Sequence, residues 1–149
     1  MVKLRRIEAR KIGDLLVEKK VISYEQLQKA LKIQKEKGGL LGSLLVEAGY
    51  ATEEQIAQVI TIQYGLPYLP LSNYELDKEM IRLIPEETAK KFCLVAIDKM
   101  GDTLTIALAN PLNVDAIAEV ERITTSKVQT FVSTMTDINN VIKKYYKDV

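Results

Sequence analysis

Apolar positions along this chain keep one period as far as residue 66 and another beyond it. In the first part they step by three and four. Ile12, Leu15, Leu16 and Lys19 follow the i, i+3, i+4, i+7 spacing of a one-sided helix. Ser23 followed by Gln26 resembles a capping box and opens a second helix through about Glu36. Leu27, Leu31 and Gln34 fall on one face of it, with Ala30 beside them. Leu41, Leu44, Leu45 and Ala48 then repeat the first helix, with Gly49 as a left-handed C-cap. Thr52 and Gln55 repeat the capping signal, and Ile56, Val59, Ile60 and Gln63 repeat the second face. Gly65 and Pro67 end the helical half.

From Leu66 to Asn73, Pro67 and Pro70 among Tyr and Leu predict an extended connector. Asp77 is placed to cap a short helix through Met80, Ile81 and Leu83, and Pro85 suits the first turn of the next. The period then changes to two. Phe92 to Asp98 reads as a strand, Met100 to Asp102 as a turn and Thr103 to Ala109 as a second strand, together a hairpin. Asn110 and Pro111 stop it, and Asn113 or Asp115 begins a helix carrying Val114, Ile117, Ala118, Val120 and Glu121. Lys127 to Ser133 is predicted as a third strand. Thr136 and Asp137 are predicted to cap a last helix through Ile138, Val141, Ile142 and Tyr145. The order is four helices, then α-β-β-α-β-α, which predicts an α+β fold. The expected division is a helical subdomain over 1–64, a connector with a short helix over 65–84, and a small three-stranded α+β subdomain over 85–149.

The helical half says the same thing twice. Residues 11–34 lie over residues 40–63 at a constant offset of 29, with a five-residue spacer, Lys35 to Gly39, between them. Nine positions are identical: Gly13/Gly42, Leu15/Leu44, Leu16/Leu45, Val17/Val46, Glu18/Glu47, Glu25/Glu54, Gln26/Gln55, Ile33/Ile62 and Gln34/Gln63. Background composition would give roughly one or two. A doubled unit makes a pseudo-symmetric surface, suited to a ligand or partner that is itself two-fold.

Composition narrows the function more by what it lacks. At 149 residues, 47% hydrophobic and 28% charged, the chain has ordinary globular composition and room for one domain or two small subdomains. A net charge of +1 argues against a broad nucleic-acid footprint. Only the start is basic: Lys3, Arg5, Arg6, Arg10 and Lys11 face Glu8 alone, either a solvated amphipathic lead-in or a patch for an anionic group. No apolar run approaches the roughly 18 residues of a membrane span, nor is there a signal-type segment. Cys93 is the single cysteine and histidine is absent, which removes disulfides, thiolate clusters, His-based metal sites and His-dependent triads. Within an apolar run, Cys93 reads as a buried small hydrophobe. There is no Gly-x-x-x-x-Gly-Lys-[Ser/Thr] loop for a nucleoside triphosphate. Glu53 with Glu54, and Glu86 with Glu87, fall in first helical turns, where they complement the helix dipole. The expectation is a cytosolic, non-catalytic protein with no metal.

Two residue types remain to be explained. Gln34 and Gln63 place an amide on an otherwise apolar face, and such a group needs a hydrogen-bond partner. Each either caps nearby backbone or faces a ligand; amides suit a nucleobase edge because they donate and accept together. Gly13 and Gly42 either permit close helix packing or let an anion approach free N–H groups at a helix start.

These residues resemble the N-terminal domain of the assembly ATPases of type II secretion and type IV pilus systems, over nearly the whole chain. The tandem pair of 24-residue units with its five-residue spacer is similar to the cyclic di-GMP-binding form of that domain. Leu108 to Pro111 and Asp115 to Ile117 resemble the family's strand end and helix start. The resemblance implies a ligand site made of Lys11, Ile12, Gly13, Leu27, Leu31 and Gln34 from the first unit. From the second it implies Leu40, Leu41, Gly42, Ile56, Ile60 and Gln63. Each set would hold one half of the dinucleotide, with aliphatic side chains against the guanines. The family's ATPase core has no counterpart in these residues, so the resemblance implies a regulatory domain that binds cyclic di-GMP. The alternative is a module docking the motor onto an inner-membrane platform protein without nucleotide. In two places the chain departs from the family pattern. Lys11 stands where an arginine is expected, losing the planar fork. Lys20 stands where the second unit has Gly49, a cost if that position needs positive φ. Both keep positive charge near a diphosphate, and both predict that any loss of binding begins in the first unit.

Overall fold

The structure, a computed structural model, describes residues 12–111 and 113–147. Lys11 and the basic start lie outside the described residues. The chain forms two compact units, residues 1–65 and 66–149.

Among the described residues the first unit holds four helices: α1 (Ile12–Glu18), α2 (Tyr24–Lys37), α3 (Leu41–Glu47) and α4 (Glu53–Tyr64). Repeated sequence gives repeated local structure. Ser23 accepts from the N–H of Gln26 at 3.1 Å while the Gln26 side chain accepts from the N–H of Ser23 at 2.9 Å. Thr52 and Gln55 do the same at 3.1 and 2.8 Å. Both are complete capping boxes, which satisfy donors that helix starts leave open. The ends of α1 and α3 also match. Lys20 N–H donates to Val17 O and Val21 N–H to Leu16 O, just as Gly49 N–H donates to Val46 O and Tyr50 N–H to Leu45 O. This is the Schellman pattern, which needs a left-handed residue just past the helix. Lys20 adopts φ 62° and Gly49 φ 77°. The core is built from equivalent positions: Leu16 and Leu45 are fully buried, as are Ile22 with Ala51 and Leu27 with Ile56 to within a few per cent. α1 packs on α2 and α4, and α3 packs on the same two helices.

The second unit begins with the predicted extended segment. Val132 N–H donates to Pro67 O at 2.9 Å and Leu69 N–H to Val132 O at 2.8 Å, so Tyr68 bridges in parallel to the end of a strand. A 3-10 turn at Leu71–Asn73 and short helices α5 (Lys78–Ile81) and α6 (Glu86–Phe92) follow. Strands β1 (Leu94–Met100), β2 (Thr103–Leu108) and β3 (Lys127–Val132) form a mixed sheet in the order β1-β2-β3. β1 and β2 are an antiparallel hairpin; β2 and β3 run parallel, linked through α7 (Val114–Thr124). Helix α8 (Met135–Tyr145) packs against β1, β2 and α6. The α+β class is therefore as expected. Leu94, Val95, Leu104, Ile106, Leu108, Val132 and Ile138 are fully buried, each contributing about 1.5–3 kcal/mol of transfer free energy.

Three local expectations are corrected. Phe92 does not start a strand: it ends α6, and Cys93 takes a left-handed conformation (φ 55°) that turns the chain into β1 at Leu94. A continuous apolar run carries no period that separates helix from strand. The last helix is capped by Thr134, whose Oγ1 accepts from Asp137 N–H at 3.2 Å, not by Thr136 and Asp137. Pro85 precedes the first turn of α6 at its N-cap, one position earlier than expected.

Candidate functional site

The two repeated units interlock at Gly13. A Cβ built there would lie 2.6 Å from Leu27 Cδ1 and 3.2 Å from Leu41 Cδ2. Glycine therefore lets α1 sit against a leucine of its own unit and a leucine of the other. That close approach is the helix packing expected of a glycine here. Three candidate positions, Gly13, Leu27 and Leu41, are thus brought into one cluster.

The other candidates lie on the same four helices. Ile12 is buried at the start of α1, and Ile56 and Ile60 are buried on α4. Leu40 occupies the N-cap of α3 with an extended backbone and no side-chain cap bond, so the start of α3 lacks the capping box that opens α2 and α4. Leu40, Leu41 and Gly42 are all half-buried there. Leu31 is 37% exposed, whereas its counterpart Ile60 is fully buried.

The glutamines also part company. Gln34 Nε2 donates to Gly39 O at 3.0 Å. That bond ties the amide to nearby backbone and leaves its Oε1 without a partner among the described residues. Gln63 is exposed, and its side chain forms no hydrogen bond among the described residues. Sequence reasoning treated Lys35 to Gly39 as a spacer and missed that Gly39 holds a candidate side chain. The signal was present: two glycines follow Gln34, while Pro67 and Tyr68 stand at the matching positions after Gln63.

The second unit carries an open groove of about 460 Å³, lined by Ile97, Thr105, Gln129 and Phe131 from the sheet and by Tyr74. It contains none of the candidate residues. Among the described residues no group of three or more Cys, Asp or Glu could hold a metal ion.

A capped helical repeat leading into a three-stranded α+β unit is the architecture, and comparison with known proteins gives the family. The family model of the MshEN domain matches residues 64–149. The chain belongs to the MshEN domain family. It is 30% identical to the type IV pilus assembly ATPase PilB of Myxococcus xanthus over 138 residues, which is 93% of this chain and 24% of PilB. The chain thus spans about a quarter of that relative's length. Among solved structures, MshE with cdg (cyclic di-GMP) is 30% identical, with a TM-score of 0.67 over 91% of this chain and 98% of that one. The N-terminal domain of XpsE, at 20% identity, shares the fold with a TM-score of 0.72 over 93% and 95% of the two chains. Every candidate ligand residue precedes the stretch that the family model matches.

Proposed function

We propose that the tandem repeat binds cyclic di-GMP, one half of the dinucleotide to each unit, in a non-catalytic regulatory domain of a type II secretion or type IV pilus ATPase system. The observation that carries this reading is the interlocked repeat. Two units with matching caps and matching Schellman ends meet where Gly13 touches Leu27 and Leu41, and they present Gln34 and Gln63 at equivalent positions. A pseudo-two-fold surface of this kind matches a two-fold dinucleotide. The likeness to MshE with cdg covers 91% of this chain, so it takes in most of the repeat. Lys11, Ile12, Gly13, Leu27, Leu31 and Gln34 serve one half; Leu40, Leu41, Gly42, Ile56, Ile60 and Gln63 serve the other. Binding would bias a motor carried on the same or another polypeptide. The setting is cytoplasmic, at the inner membrane only through a partner protein. No helix among the described residues is long and apolar enough to cross a membrane.

A second reading has its own support. The family model matches residues 64–149 and leaves the repeat outside, so the part of the chain it recognises is the α+β unit. On this reading that unit is a docking module joining the ATPase core to an inner-membrane platform protein, without nucleotide. Calorimetric titration with cyclic di-GMP separates the two. Binding is expected at micromolar strength or tighter. Gln34→Ala should weaken it about tenfold through the lost amide, and Gly42→Leu should do so through crowding. Lys11→Arg should tighten it by restoring the planar donor fork. No heat and no amide shifts at millimolar ligand would remove the receptor reading and leave the docking module.

A further inference from the structure

Gln34 and Gln63 share a position in the repeat, but only Gln34 is held in place. Its Nε2 donates to Gly39 O at 3.0 Å, and Gly38 N–H donates back to Gln34 O at 2.7 Å. The turn that brings the Gly39 carbonyl under this amide needs two successive residues of positive φ, 77° at Gly38 and 99° at Gly39. L side chains rarely adopt such conformations. A Cβ at either position would meet nothing within 4 Å, so glycine is required by backbone conformation and not by space. The second unit cannot build this turn. Its matching residues are Pro67 and Tyr68, and proline holds φ negative.

Only an amide NH₂ can donate to a carbonyl, so the Gly39 bond also decides which way the Gln34 amide faces. Oε1 and the second amide hydrogen make no other bond among the described residues. One turn earlier on α2, Leu31 keeps an exposed aliphatic side chain, whereas its counterpart Ile60 is fully buried. The first unit thus offers an oriented amide beside accessible apolar surface. The second must order its glutamine when a ligand arrives.

We infer that the Gly38–Gly39 turn belongs to the binding apparatus. Its Gly39 carbonyl is a positioning group that presets the Gln34 amide for the donor-and-acceptor edge of a nucleobase, and it makes the first unit the preorganised half-site. The inference rests on the cyclic di-GMP reading of the repeat and adds to it an order between the halves. Ordering a long side chain in advance is worth about fivefold in affinity.

The test is a calorimetric double-mutant cycle on the whole chain, with cyclic di-GMP as the titrant. Gly39→Ala should weaken binding about fivefold when Gln34 is present and less than about twofold in a Gln34→Ala background. Paired with Gln63→Ala, the same change should be additive. In the ligand-free chain, the side-chain amide signal of Gln34 should move in Gly39→Ala and stay in place in Gln63→Ala. Gly38→Ala, which strains the same turn, is the second variant should Gly39→Ala fold poorly. Additive effects of Gly39→Ala and Gln34→Ala, or an unmoved Gln34 amide signal, would overturn the inference and leave cyclic di-GMP binding intact. A wild-type chain that binds no cyclic di-GMP removes both.

Discussion

Lys20 shows how much one residue reveals when its repeat partner stands beside it. Lys20 and Gly49 carry the same pair of backbone bonds past their helices and the same positive φ, 62° and 77°. Glycine adopts that conformation freely, whereas a lysine pays for its Cβ there with about 1–2 kcal/mol. Part of that difference is offset because glycine gives the unfolded chain more freedom. Lys20→Gly should therefore raise stability by about 0.5–1 kcal/mol, and Gly49→Lys should lower it by a similar amount. Denaturant midpoints measure both, and an unchanged midpoint in Lys20→Gly would mean that the turn carries no strain. The anomaly was legible because a repeat supplies its own reference: one copy has the glycine and the other does not. What the sequence could not decide was Gln34. A polar residue on an apolar face must bond to something, and Gly39 became its partner only through a turn of two positive-φ glycines.

At the level of elements, local chemistry accounts for most of what formed. A capping box needs only a hydroxyl, an amide or carboxylate three residues later and the intervening backbone, so Ser23/Gln26 and Thr52/Gln55 could be recognised without tertiary information. Ser23→Ala and Thr52→Ala should each cost about 1 kcal/mol, and the double variant about the sum, since the caps open different helices. Equal shifts in the denaturant midpoint would check it; a Thr52→Ala without effect would mean that α4 does not rely on its cap. Elements went astray where local signals competed. Ser133 and Thr134 lie just before α8 and Thr136 in its first turn, all carrying hydroxyls, but Ser133 Oγ is already committed to Leu69 O at 2.8 Å. Thr134 was left to cap. That commitment is a contact across 64 residues, beyond the reach of any local rule.

Across the second unit as a whole, Tyr146 ties the chain's last helix back to its middle. Its hydroxyl reaches the carbonyls of Ile81, at 2.9 Å, and Ile84, and Leu76 N–H donates to the hydroxyl of the adjacent Tyr145 at 3.0 Å. Burial pushes the Tyr146 phenol up to about 12, with the Glu86 carboxylate adding to the shift and Arg82 opposing it. An unfolded tyrosine ionises near pH 10. Below that pH both states are protonated and the contribution of Tyr146 is complete. Between about pH 10 and 12 the unfolded chain loses the proton first, so stability falls as pH rises. Tyr146→Phe should be less stable at neutral pH, having lost the hydroxyl bonds, and should show a shallower decline over that alkaline window. A slope identical to the wild type's would show that the Tyr146 phenol ionises alike in the folded and unfolded chains.

Sequence by itself determined the α+β class, the helices of the repeat and their caps, and the hairpin. Each of these depends on residues a few positions apart, or on a period that burial imposes on a helix or strand. The duplication was likewise plain in the sequence, because it is a pattern and needs no coordinates. Tertiary structure alone decided that Gly13 is filled in by Leu27 and Leu41, that Cys93 turns α6 into β1, and that equal letters in two copies meet unequal surroundings. Gln34 and Gln63 are identical residues in identical registers, yet one is held by a glycine carbonyl and the other lies open to solvent. A side chain's partners depend on where the rest of the chain goes. After Gln34 the chain folds back through Gly38 and Gly39, whereas after Gln63 it leaves the repeat for the second unit.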